Sequence, residues 1–176
     1  MSADSRAPAD AEPFKAAFRH HAAGVAVVSA ATTEGPVALT ASSVTSVSAE
    51  PPVLLLSVSD GTRSGRALIG ADTAVVHLLD ADDLALAVRC ADPSFDRFAD
   101  TATWTTLPTG EPVFLGPRLL MRGRITQRIV SGHATVLMLA VDEVIDRRPG
   151  APADVPGPLV YHDRRWHTLG ETSRIG

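Results

Sequence analysis

Between Thr40 and Ser48 six of nine residues carry a hydroxyl: Thr40, Ser42, Ser43, Thr45, Ser46 and Ser48. A buried hydroxyl needs a hydrogen-bond partner, so hydroxyls at this density make poor core filler. They suit a wall that holds a guest rich in hydrogen-bonding groups. Apolar runs flank the stretch, Gly24 to Ala31 before it and Val53 to Val58 after it, which places the wall between strands. A second polar group follows, with Ser57 and Ser59 at the end of one apolar run and Thr62-Arg63-Ser64 at the turn beyond. His133 stands in Ser131-Gly132-His133, between two strand-like segments.

Other chemistries lack their residues. The only lysine, Lys15, has no glycine framework of a P-loop, and no G-x-G-x-x-G follows a strand. Gly61-Thr62-Arg63-Ser64-Gly65 is close to a nucleophile elbow but carries its serine one place late. No H-E-x-x-H occurs, and His162 and His167 flank a turn without an obvious third ligand, so no metal site is expected. Cys90 is the single cysteine, which excludes an internal disulfide and any multi-cysteine metal site.

The elements that must position these residues are mostly strands. Pro13 opens a short helix with Phe14, Ala17, Phe18 and His21 at helical spacing, ended by Gly24. Gly24 to Ala31 and Val37 to Ser42 read as a hairpin, and Val44 to Ser48 continues extended. Pro51-Pro52 forces a fresh start, and Val53 to Val58 is a buried strand. Gly61 to Gly70 is a turn leading into a helix, Thr73 to Leu79 a strand, and residues 82–91 a helix capped by Asp80 or Asp82. Residues 92–117 read as irregular with short helical or extended pieces. Two long strands, about 118–129 and 134–145, meet at Ser131-Gly132-His133. Four prolines make Pro149 to Pro158 a loop, and Leu159–Tyr161 with Arg165–Thr168 form a last hairpin. Paired strands with short helices inserted favour a largely antiparallel barrel over a doubly wound sheet.

With 176 residues the chain suits one domain, expected over residues 12–169 between a disordered tail at 1–11 and a C-terminal tail at 170–176. A net charge of −4 with only paired arginines argues against nucleic acid. No apolar run approaches the roughly 18 residues of a membrane span, and Met1 to Glu12 lacks a signal peptide's apolar core. The expectation is a cytoplasmic protein.

Set in order, these stretches resemble the flavin reductase family with the FMN-binding split-barrel fold, the reductase components of two-component flavin monooxygenases. The resemblance runs from about Phe14 to Leu169. It rests on FKAAFRHHAAGVAVVSA, LTASSVTSVSAEPP, Arg97-Phe98, Gly132-His133 and Leu159-Val160-Tyr161. It implies a homodimer with flavin between subunits, FMN or FAD reduced by NADH or NADPH, and reduced flavin leaving for a separate oxygenase. Carried onto this chain, Thr40, Ala41, Ser42 and Ser43 line the flavin ring and ribityl chain, and Ser57, Val58 and Ser59 close over it. Thr62, Arg63 and Ser64 take the phosphate with hydroxyls, turn amides and a guanidinium, although the same groups also make an ordinary helix cap. His133 corresponds to the histidine that faces the nicotinamide, but where the family has Gly-Asp-His this chain has Ser-Gly-His. Tyr161 and Arg164 are weaker candidates for the pyridine nucleotide. Arg97 and Phe98 are either flavin-side or structural. His77 replaces a common asparagine and points either at the flavin or into the core. The competing reading is a flavin-binding split barrel without reductase turnover.

Overall fold

The computed structural model describes residues 9–147 and 156–175. The expected loop falls largely outside them, as does most of the expected N-terminal tail.

The chain runs α1 (Ala11–Arg19), β1 (Ala23–Gly24), β2 (Ala26–Thr32), β3 (Gly35–Ala41), β4 (Thr45–Ala49) and β5 (Pro52–Ser59). Next come α2 (Arg63–Gly70), β6 (Thr73–Leu78), α3 (Leu84–Ala91), β7 (Trp104–Thr106) and β8 (Pro112–Phe114). It ends with β9 (Leu119–Ser131), β10 (Ala134–Asp146), β11 (Leu159–His162) and β12 (Arg165–Thr168). α1 begins two residues before Pro13, because a proline in the first turn has no intrahelical N–H to lose.

A seven-stranded sheet has the order β3-β2-β6-β9-β10-β5-β4, with every pair antiparallel. Its two edge strands, β3 and β4, are consecutive in the chain and joined only by residues 42–44. So short a link brings the two edges together, and the sheet must curl into a barrel. No ladder joins β3 to β4, so the barrel is split there. The expected split β-barrel is the fold observed.

The wall of the barrel encloses one core. Val28, Ala30, Leu54, Leu56, Val76, Leu137 and Leu139 point inward from alternate positions, and Leu68 of α2 plugs one end. A second cluster lies outside β2 and β3, where Leu86, Ala87 and Cys90 of α3 pack with Val25, Val27, Leu79, Phe114 and Leu159. The Thr40 hydroxyl ties α3 down by donating to the Ala87 carbonyl at 2.6 Å.

The stretch 92–117 is more ordered than its sequence suggests. Its β7–β8 hairpin packs on the barrel, and the Ser29 hydroxyl donates to the Pro112 carbonyl. His77 of β6 points into this contact and is wholly buried. Its Nε2 accepts from the Phe114 amide at 3.2 Å, so its Nδ1 carries the proton and donates to the Val27 carbonyl at 3.0 Å. Burial drives its pKa down to about 4, so the ring is neutral and structural.

Candidate functional site

Two clefts meet at the split. The smaller, about 430 Å³, is walled by residues 39–43 at the end of β3 and Ser57, Val58 and Ser59 at the end of β5. Thr62 and Ser64 at the start of α2, residues 90 and 91 of α3, Arg97 and Ala134 complete it. The larger, about 960 Å³, lies between α1 and the turn joining β11 to β12, and shares Ser42 and Ser43 with the smaller.

The hydroxyls of the wall divide into two kinds. Those of Thr40 and Ser43 are committed to the fold. Thr40 holds α3, as described above. Ser43 lies opposite Ser57 in the register set by Thr45 against Leu55. Its Oγ donates to the Ser57 carbonyl and accepts from the Ser57 amide, each at 3.0 Å. One side chain thus replaces a main-chain ladder where the chain passes from the split into β4. The hydroxyls of Ser42, Ser57 and Ser64 have no protein partner among the described residues. Strand alternation turns Ser57 and Ser59 outward while Val58 faces the barrel core, so Val58 offers the cleft its backbone.

The start of α2 is placed by a close approach. A Cβ on Gly65 would lie 2.0 Å from the Ser59 carbonyl oxygen, so only glycine lets the helix begin against the end of β5. Thr62 caps the helix by accepting the Gly65 amide at 3.0 Å. The Arg63 and Ser64 amides open the helix and have no intrahelical acceptor, which suits an anion. The Arg63 side chain is turned away to Glu34 of the β2–β3 turn, 2.9 Å away, and both ends are exposed.

Arg97 supplies positive charge at the other rim. Its Nη2 donates to the Asp92 carbonyl at 3.0 Å and its Nε to the Cys90 carbonyl at 3.3 Å, at the negative end of α3. Among the described residues it makes no close ion pair, although, after the hydrogen bonds from Ser94, its charge helps hold the Asp92 carboxyl below the usual range. Beside it, burial pushes the Cys90 thiol up to about 11, so it is an unionised thiol in the cleft wall.

Most of the residues singled out in the sequence therefore converge. Four of the expected site residues, Arg63, Phe98, Tyr161 and His133, do not line the smaller cleft. Arg63 pairs with Glu34. Phe98 stacks on Phe114 at 5.3 Å and meets Trp104 edge-on at 5.0 Å, as part of the outer core. Tyr161 lines the larger cleft, its ring 4.8 Å from that of Trp166. His133 is fully exposed at the β9–β10 turn and lies in the lining of neither cleft, although Ala134 beside it does. Its Nδ1 is 4.0 Å from a carboxylate oxygen of Asp60, just beyond the end of the neighbouring strand β5. Sequence reasoning missed Leu39, Cys90, Ala91, Pro93 and Ala134 of the cleft lining. A lone cysteine on the buried side of a helix gives no signal apart from ordinary core.

The model of the flavin reductase like domain matches residues 18–170. An NADH:FMN oxidoreductase of Rhodococcus qingshengii is 38% identical over 154 residues, covering 88% of this chain and 79% of its own. A flavin reductase domain protein of Arthrobacter sp. FB24 superposes with a TM-score of 0.81 at 28% identity, covering 90% of this chain and 95% of that one. The NADH:FAD oxidoreductase SgcE6 of Streptomyces globisporus gives 0.80 at 25% identity, covering 100% and 97%.

Proposed function

The chain belongs to the flavin reductase like family, and from that premise we propose that it is an NAD(P)H:flavin oxidoreductase that reduces FMN, or FAD, with NADH or NADPH. The observation that carries this reading is the smaller cleft. Open hydroxyls, the Ser64 amide at the start of α2 and the Arg97 guanidinium line one trough, and a second cleft opens from the same Ser42–Ser43 wall.

The donor set fits a flavin mononucleotide. Ser42, with the backbone of residues 40–43, would hold the ring and ribityl chain. Ser57, Val58 and Ser59 would border it from β5. The start of α2 would take the phosphate, with Arg97 adding charge across the trough. Arg63 can join only by releasing Glu34, an exposed pair worth about 0–1 kcal/mol. A flavin held there would supply the acceptor for a hydride from the nicotinamide.

What the protein contributes is placement. It must hold two planar rings within roughly 3–3.5 Å of each other and keep water out, which replaces a bimolecular encounter with an oriented one. No side chain need donate or accept a proton in the hydride step. The shared Ser42–Ser43 wall lets an occupant of the larger cleft touch an occupant of the smaller, with Tyr161 and Arg164 facing the pyridine nucleotide. His133 completes the nicotinamide side in a homodimer with flavin between subunits, since on one chain it stands outside both clefts. The cleft lies on the surface with exposed Ser42, Ser57 and Ser59 in its wall, which suits a flavin handled as a substrate and passed, reduced, to a separate oxygenase in the cytoplasm.

Mixing protein with FMN and either nucleotide, and following absorbance at the reduced-nicotinamide band, tests the reading. Turnover with at least one nucleotide is expected. Flavin binding with no oxidation of either would leave a binding protein, and stoichiometric flavin that does not exchange would remove the substrate role.

A further inference from the structure

α1 buries none of its residues. Among the described residues its one backbone hydrogen bond to the rest of the fold is the Asp163 amide donating to the Arg19 carbonyl at 3.0 Å. Yet the helix carries two large aromatic residues one turn apart. Phe14 and Phe18 are each 58% exposed, and their rings sit 4.7 Å apart at 40°. Both line the larger cleft, and so do Lys15 and Arg19 beside them. The spacing sets an aromatic stripe next to a basic stripe on the side facing the cleft. Arg164, on the turn opposite, adds another guanidinium. Among the described residues neither Arg19 nor Arg164 makes an ion pair through its side chain.

Adjacent aromatic faces suit a planar base, and unpaired guanidinium groups suit phosphate. We propose that this face of α1 is an adenylate subsite. The exposed face of the Phe14–Phe18 pair stacks the adenine on one side, and Arg19 and Arg164 hold the diphosphate of a dinucleotide whose other end reaches the shared Ser42–Ser43 wall. The proposal rests on the flavin reductase reading and deepens it by naming the part of the substrate held here. The adenosine diphosphate moiety is common to NADH and FAD, and the test separates them.

Since α1 has no buried side chain, Phe14→Ala/Phe18→Ala leaves the barrel folded. With FMN as acceptor, its KM for NADH rises roughly 5- to 150-fold, the range of one lost base–aromatic stack. Its KM for reduced nicotinamide mononucleotide, which lacks the adenylate, moves less than about twofold, and Phe18→Tyr retains tight NADH use. If FAD is the source, the KM for FAD rises in the variant with the truncated donor while that for FMN holds. Equal losses with both donors, or no change in any of these constants, overturns the subsite. So does a variant that changes from dimer to monomer, because the face then meets a second copy. If the wild-type protein oxidises neither nucleotide with any flavin, the reductase reading fails by itself. Calorimetry with ADP then decides the subsite: binding lost in the variant supports it, and no binding by the wild type overturns it.

Discussion

Polar side chains gather in two places in this molecule, and they behave in opposite ways. On the flank of the barrel, Arg122 of β9 contacts buried Glu111 at 2.8 Å and Asp142 of β10 at 3.1 Å, and Arg124 joins the same Asp142 at 3.0 Å. Thr109 donates to Glu111 as well. Burial pushes the Glu111 carboxyl up, but hydrogen bonds from Thr109, Arg122 and Thr73 outweigh it and hold the pKa at about 2. His77 is satisfied at both ring nitrogens in the same way. At the split, the hydroxyls of Ser42, Ser57 and Ser64 face a cleft with no protein partner among the described residues, and Arg97 beside them directs its donors only to backbone carbonyls of residues 90, 92 and 95. Equal polarity therefore carries opposite meanings. A closed network fixes the β7–β8 hairpin to the barrel, whereas an open one is available to a guest.

The largest break in this contrast comes from opening the closed side. Glu111→Ala leaves Arg122, whose side chain is only 16% exposed, without its nearest partner. Removal of one partner of a buried pair costs about 3–5 kcal/mol, and Asp142, which still meets Arg122, keeps the loss at the low end of that range. Urea unfolding should show that loss while flavin affinity per folded molecule stays unchanged, and a matching loss of affinity would merge the two regions.

Acid makes the next largest break. The native state refuses the His77 proton until about pH 4, whereas the unfolded chain takes it near 6.5. Stability is therefore full above pH 6.5 and falls as pH drops toward 4, by about 3 kcal/mol from this group. Glu111 then adds a loss between about 4.5 and 2, because its native carboxylate resists protonation. Unfolding midpoints of the wild type and His77→Gln, compared at pH 7 and pH 4, should converge in acid. Parallel curves would remove His77 as the source.

Gly65→Ala tests the boundary, since α2 must retreat from Ser59 to admit the methyl group. Overpacking of this kind costs about 1–3 kcal/mol, and it should weaken binding of FMN more than of riboflavin, because it displaces the phosphate end. Ser42→Leu sharpens the open side alone. An exposed serine at the shared wall can be enlarged without disturbing the core, so flavin affinity should drop about tenfold or more with thermal unfolding nearly unchanged. Unaltered affinity would move the pocket elsewhere. Thr62→Ala has the smallest effect, about 1 kcal/mol of stability from the lost cap, read as a shift in urea midpoint.

Local signals made much of this architecture legible. The Ser131-Gly132-His133 corner marked the junction of β9 and β10, the Gly61–Ser64 punctuation marked the start of α2, and the hydroxyl-rich stretch marked the wall. The parts that stayed hidden depend on partners distant in the chain. β6 is buried on both faces, so its alternation gave no direction for His77, whose partners are Val27 and Phe114. Nothing near residue 112 announces that Ser29, 83 positions earlier, will hold it. The choice for Arg63 between an anion and Glu34 is likewise a contact across 29 residues. Nor does the sequence distinguish the hydroxyls committed to the fold, on Thr40 and Ser43, from the open ones beside them.

The Ser43 hydroxyl that stands in for a ladder bond makes the Ser57 amide a reporter. That proton is shielded by a lone side chain at the edge of a gap, so it should exchange with deuterated solvent faster than the amides deeper in β5. Both clefts share Ser43, so occupancy of either should slow the same proton. A single resonance could then be used to time the arrival of each ligand in turn.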